Sequence, residues 1–348
     1  MVRDRTLFSL IVVFMVFLLS CATAQVDQIS LETVEVDKKI KEARKLYIRA
    51  QTEDAVILTS NLLANHDLSK SQETEALLIL AMCEANRGQD DAAHAYLVRL
   101  AELDPTININ ADEYPPQMMR IWFAVEKSIP ESKRPKFPGK RTIAVMYFDN
   151  MSISKDQEDL DPLSKGLASM MIQDIAKAGK LRVVERDRIN FLIDELKLQQ
   201  SDLADQSTAV EMGKLVGAQT ILMGGFMKLD KNDFKIYGRL VSVETSEILK
   251  AEEVSGDPDD IFKLQKELVY KILDEMKVDV DMDTRKQIDK GKDAKYEALY
   301  HYSLALALED KKDYQSAYAE YEKAIEIAPG FAEAQKKMNR IEPLAVKG

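Results

Sequence analysis

The hydrophobic period changes twice along this 348-residue chain, and that alternation limits the possible fold more than any other feature. Residues 36–104 place apolar side chains every three or four positions, the spacing of amphipathic helices. From 141 the pattern shifts to short apolar runs bounded by turn residues, the first being Thr142-Ile-Ala-Val-Met-Tyr-Phe148. An unbroken run of that length reads as a strand buried on both faces. Leu181–Glu185, Thr220–Phe226, Phe234–Leu240 and Ile248–Val254 read as further strands. Helices are expected after Asp161-Pro162, after Asp187 as cap, over about 207–216 and over Pro258–Met276. Residues 293–341 return to helical period. The fold class is therefore α/β, a mixed sheet with packed helices, flanked by all-α helical repeats.

The flanking helices show more specific spacing. Ala76, Leu77, Leu80, Ala81 and Cys83 lie on one helix, Gly88-Gln89 makes a turn, and Ala93, Tyr96, Leu97 and Leu100 lie on the next, which closes at Asp104-Pro105. This unit of about 34 residues resembles a tetratricopeptide repeat. Residues 36–65 resemble a more degenerate copy, and Leu304, Ala305, Ala317, Tyr321, Ala324 and Pro329 fall on the spacing of one more. Phe331–Ile341 would cap that last repeat. A lone repeat cannot bury its own face, so it is expected to dock on the α/β block or on another subunit. Repeats bind partners through stacked helix faces, which makes Leu77, Leu80, Tyr96 and Tyr321 candidate partner-binding residues.

The amino terminus supplies an address. The apolar stretch Leu7–Leu19 is too short to span a bilayer, which takes about 20 residues, and suits a signal peptide. Leu18-Leu19-Ser20-Cys21 resembles a bacterial lipobox, which implies acylation of the Cys21 thiol, palmitate included, and cleavage just before it. Ordinary cleavage after Ala22-Thr23-Ala24 is the alternative. Two or more acyl chains would anchor the protein stably. Ala22 after that cysteine favours sorting to the outer membrane.

The expected organisation is a signal peptide (1–20), a lipid-anchored tether (21–35), a repeat-like helical domain (36–104) and a helical, Pro-rich connector (105–140). The α/β domain (141–277), a linker (278–292) and the C-terminal repeat with its capping helix (293–341) follow. Net charge is −11, which argues against nucleic acid as a partner, since phosphate binding needs clustered Lys and Arg.

Within the α/β block, Ile143-Ala-Val-Met-Tyr-Phe-Asp149, Val183-Val-Glu-Arg186 and Leu192-Ile-Asp-Glu195-Leu-Lys-Leu-Gln199 come first. Met212-Gly213 through Gly217-Ala218, Ile221-Leu-Met-Gly224 and Gly238-Arg-Leu-Val-Ser-Val-Glu-Thr-Ser-Glu-Ile-Leu249 follow. In this order and spacing, over roughly 141–275, they resemble the curli production assembly/transport (CsgG) family of periplasmic lipoproteins. Ser246 departs from the family pattern, which has glycine in that turn. The resemblance implies envelope or secreted proteins as partners, a membrane contact through the anchor at Cys21, and self-association. Channel-forming members insert membrane hairpins at two points, and here Asp230–Asp233 and Ser255–Pro258 leave no room for them, since each membrane strand needs about 9–11 residues. The function expected is a non-enzymatic periplasmic adaptor. The alternative is a subunit of a curli-type secretion channel.

No constellation for catalysis is legible, and no cofactor or metal site is expected. His66, His94 and His301 are scattered in the helical blocks, far in sequence from the serines of the α/β block. Gly224-Gly225 reads as a strand bend or tight packing, and Gly213 with Gly217 as a close helix crossing. Glu185 and Arg186 end a strand where sites cluster, but read as a structural ion pair or cap. Asp257, Asp259 and Asp260 surround Pro258 at a helix start, where carboxylates favour the dipole.

Overall fold

A computed structural model describes residues 33–345, apart from 66, 112, 134–138, 153–156, 200–201, 203–204 and 230–232. The leader, Cys21, His66 and most of the Pro-rich linker lie outside the described residues. The described residues form two compact units, divided between Asp104 and Pro105.

The first unit is a set of helical hairpins: α1 (33–48), α2 (Thr52–Asn65), α3 (Lys70–Asn86) and α4 (Asp90–Leu103). Helix α3 starts on a reciprocal cap. Ser69 Oγ accepts from the Gln72 amide at 3.3 Å, and Gln72 Oε1 accepts from the Ser69 amide at 3.0 Å. Ala43, Leu62, Leu77, Leu80, Cys83, Ala93 and Leu97 fill the interior.

The second unit opens with α5 (Pro116–Ser128) and then builds a five-stranded sheet. Its strands are β1 (Arg141–Asn150), β2 (Leu181–Val183), β3 (Thr220–Lys228), β4 (Phe234–Ser242) and β5 (Ile248–Gly256), in the order β2-β1-β3-β4-β5. β1 runs parallel to β2 and β3, and β3, β4 and β5 are antiparallel. The helices between them are α6 (Gln157–Leu160), α7 (Leu163–Lys177), α8 (Arg186–Leu196) and α9 (Gln206–Leu215). Parallel strands need such crossovers, and antiparallel strands do not. Thr142–Phe148 is buried along its whole length, as the unbroken apolar run predicts.

β5 is followed by a short 3-10 turn and α10 (Ile261–Glu275), which lays Leu264, Leu268 and Ile272 against the sheet. The expected linker 278–292 contains a helix, α11 (Met282–Asp289), capped by Asp281. The repeat consists of α12 (Tyr296–Asp310), α13 (Tyr314–Ile327) and the capping helix α14 (Ala332–Ala345). No helix among the described residues is long and apolar enough to cross a membrane.

Candidate protein-interaction site

The lone repeat docks on the α/β sheet's helical layer, and it does so through close packing and buried charge. On α7, Gly166 and Ser169 face α12. A Cβ on Gly166 would lie 1.8 Å from Ser303 Oγ, so only glycine admits the approach. The Ser169 and Tyr302 hydroxyls are 2.7 Å apart. Tyr302 stacks obliquely on Phe331, with centroids 4.8 Å apart, and Phe331 meets Phe262 of α10 edge-on at 5.2 Å.

Beside this contact lies a buried ion network. Arg186, the first residue of α8, donates to Asp310 Oδ1 at 2.9 Å and to Glu309 Oε1 at 3.3 Å. Arg340 of α14 bonds Glu309, reaches Asp187 Oδ1 at 3.2 Å and donates to the Ala111 carbonyl at 2.7 Å. Lys337 lies 3.5 Å from Asp187, and the Tyr321 hydroxyl donates to Glu309 Oε2 at 3.0 Å. Burial alone would raise the Asp187 carboxyl, but Arg340, Lys337 and Arg186 hold it well below the usual carboxylate range. Burial, then Glu309, pushes the Tyr321 hydroxyl well above its ordinary value.

Arg186 thus has the structural role its position suggested, though its partners come from the far end of the chain. Asp187 does not cap α8, which starts after Glu185, because its carboxylate is turned inward to Arg340 and Lys337. Glu309, Lys337 and Arg340 were missed in the sequence. Each interrupts an apolar stripe (Ala298, Tyr302, Ala305, then Glu309; Ala334, Lys337, Arg340, Ile341, Leu344), and a charge on such a stripe is the signal that marks a buried pair.

The expected partner residues lie mostly inside. Leu77, Leu80 and Tyr321 are fully buried, and of the four only Tyr96 is partly exposed. In the last repeat, the α12 face around Tyr302 and Ser303 is occupied by α7 of the same chain.

The exposed surface is on the sheet. Cross-strand partners share a face. The face carrying Leu222, Phe226, Ile236, Leu240 and Val254 is buried, on the side of α10. On the other face, among the described residues, α9 covers one end, where a Cβ on Gly213 would lie 2.6 Å from Ile221. Beyond it Arg239 sits opposite Ala251, Tyr237 opposite Glu253, and Met227 opposite Lys235. All six are half-buried or exposed. Lys235 pairs with Glu253 at 3.1 Å. Arg239 Nε is buried without a hydrogen-bond partner, and no carboxylate among the described residues pairs with that guanidinium. Burial and the nearby Asp149 raise the Tyr237 hydroxyl.

The β5 edge itself is guarded. A bulge at Leu249 breaks its register, Lys250, Glu252 and Glu253 crowd it, and Lys271 donates to the Glu253 carbonyl at 2.9 Å.

Glu185, Arg186 and Gly224 do not converge. Gly224 is wedged where a Cβ would lie 2.3 Å from the Tyr237 carbonyl and 2.7 Å from Phe148. Among the described residues no three His, Cys, Asp or Glu side chains gather as metal ligands. Asp257 caps the Asp259 amide at 2.8 Å and Asp260 pairs with Lys263.

The fold is thus a mixed-sheet α/β domain with a docked helical repeat. Residues 124–238 match the family model of the curli production assembly/transport component CsgG, and residues 298–331 match the tetratricopeptide repeat. The chain carries both modules, neither of them from a catalytic family, and the pairing is one of protein–protein interaction. The CsgG match ends within β4, so β5 and α10 lie past it. A putative adenylate cyclase 3 of Rhizobium meliloti (strain 1021) is 24% identical over 213 residues, 60% of this chain, and the chain spans 33% of that protein's length. Among solved structures, the LpoB C-terminal domain from Escherichia coli is 20% identical with a TM-score of 0.26, over 33% of this chain and 81% of that one. Lipoprotein GNA1162 from Neisseria meningitidis is 13% identical with a TM-score of 0.29, over 39% and 98%. A PelC dodecamer from Paraburkholderia phytofirmans is 13% identical with a TM-score of 0.27, over 42% and 94%.

Proposed function

We propose that the protein is a lipid-anchored periplasmic adaptor, held to the envelope through Cys21, that docks an envelope protein on the open face of β3–β5. The observation that carries this reading is the exposed face itself. Tyr237, Met227 and Arg239 are of the residue types enriched where proteins meet. A partner that brings a carboxylate to Arg239 would neutralise a guanidinium that the fold leaves without an ion pair among the described residues. The short junctions support an adaptor over a channel subunit. β3 and β4 are paired up to Lys228 opposite Phe234, and β5 passes into the turn at Pro258 one residue after its end. The lipobox and the CsgG match support an envelope address.

A photocrosslinker placed at Ala251 in cells tests the docking. It is expected to capture one envelope protein, to lose it on Arg239→Glu, and to capture nothing from Glu322 on α13. Equal adducts at both positions, or none at Ala251, would remove the sheet face from the function. Cys21→Ser is expected to release the protein into the soluble periplasmic fraction.

A further inference from the structure

On the opposite side of the sheet from the exposed face, a cavity of about 50 Å³ lies between α7, α10, the end of α11 and the α13–α14 turn. Its chemistry is cationic. Lys177 of α7 and Lys266 of α10 line it, and they share one carboxylate, Asp174. Lys177 Nζ is 2.8 Å from Asp174 Oδ1, and Lys266 Nζ is 2.8 Å from Oδ2. Both oxygens are therefore taken, while each ammonium has three N–H groups to satisfy. Lys266 is 5% exposed, so bulk water does not serve it. Lys290, at the C-terminal end of α11, lines the same cavity and has no ion pair among the described residues. Gly291, at φ +78°, turns the chain immediately after it.

Glu333 is the second carboxylate of the lining, so three ammonium groups face two acids. The positive end of α14 also opens here, through Gly330, Phe331 and Ala332. A desolvated Lys266 ammonium, with Lys177 and the solvent-reaching Lys290 beside it, leaves cations in excess over carboxylates and attracts a compact anion. The volume admits one tetrahedral oxyanion and excludes a nucleotide or a sugar ring.

We propose that this cavity binds a single phosphate-sized oxyanion, held by Lys177, Lys266 and Lys290. The ion would be free phosphate or the phosphoryl group of a monoester. Bound there, it would tie α7 and α10 to the α13–α14 turn, and so strengthen the seat of the repeat.

The test is thermal unfolding of the full-length protein titrated with inorganic phosphate, against chloride at matched ionic strength and pH. A ligand that binds only the folded state raises Tm saturably. Phosphate is expected to do so, and chloride is not. Glycerol 3-phosphate, run in parallel, separates the sources. A response equal to that of phosphate assigns the site to a monoester, and a response to phosphate alone assigns it to the free ion. Lys290→Ala, which removes an exposed side chain, is expected to leave the unliganded Tm in place and to weaken binding about tenfold, the loss of one charge-assisted hydrogen bond. Lys177→Ala should weaken binding similarly. Equal responses to phosphate and chloride, or unchanged affinity in Lys290→Ala, would overturn the assignment.

Discussion

At the scale of single residues, the interior of the second unit depends on charge as much as on apolar packing. Arg186, Asp187, Glu309, Lys337 and Arg340 are each at least nine-tenths buried. Such a network adds little net stability when whole, but removing one member strands the others in a medium that cannot solvate them. Arg340→Ala should therefore cost about 3–5 kcal/mol at pH 7 by urea unfolding. The pH dependence has a definite sign. Asp187 has a folded-state pKa depressed below its unfolded value, so its contribution is complete above about pH 4 and is lost as pH falls further. The gap between wild type and Arg340→Ala should narrow below that pH, and a constant gap down to pH 2 would contradict the role given to Arg340. Ser246 shows a different economy. It adopts φ +59° in the β4–β5 turn, so the serine found where the family pattern has glycine occupies a left-handed backbone.

At the scale of elements, local pattern predicted type well and partnership poorly. β1, the β4 alternation and α10 were legible because each has one dominant period over its whole length. α11 was not, because only Ile288 is buried on it and its apolar stripe is nearly absent. The end of β2 was misplaced at Glu185, because the strand stops at Val183 and the next turn already prepares α8. Most of the interaction site was invisible, because it depends on residues distant in sequence, and period carries no information on which stripe meets which. The α7–α12 crossing is the clearest case. Gly166 alone in an apolar helix says nothing about Ser303. Gly166→Ala should destabilise by about 1–3 kcal/mol through overpacking, with a partial rescue by Ser303→Ala, since the new methyl meets the serine side chain. Calorimetry on the single and double variants measures both effects.

At the scale of the whole molecule, the second unit has its own core and its own charge network, and among the described residues no ion pair of that network comes from before 105. A chain deleted of residues 33–104 should keep a cooperative transition, with near-ultraviolet circular dichroism reporting intact aromatic packing. A chain cut at 292 should not, since it bares Gly166 and Ser169 and strips Arg186 and Asp187 of Glu309, Asp310, Lys337 and Arg340, leaving of their ion pairs among the described residues only the 3.8 Å contact with each other. If the second truncation unfolds as sharply as the full chain, the repeat is an appendage.

The bond from Arg340 to the Ala111 carbonyl spans 229 positions. A polypeptide delivered amino end first makes Ala111 long before Arg340. Until α14 emerges the early segment lacks this donor, and the unit closes only when that helix arrives. Arrival of α14 is thus the event that locks this unit, so products stalled or truncated before it should be recognisable to proteases by their failure to shut.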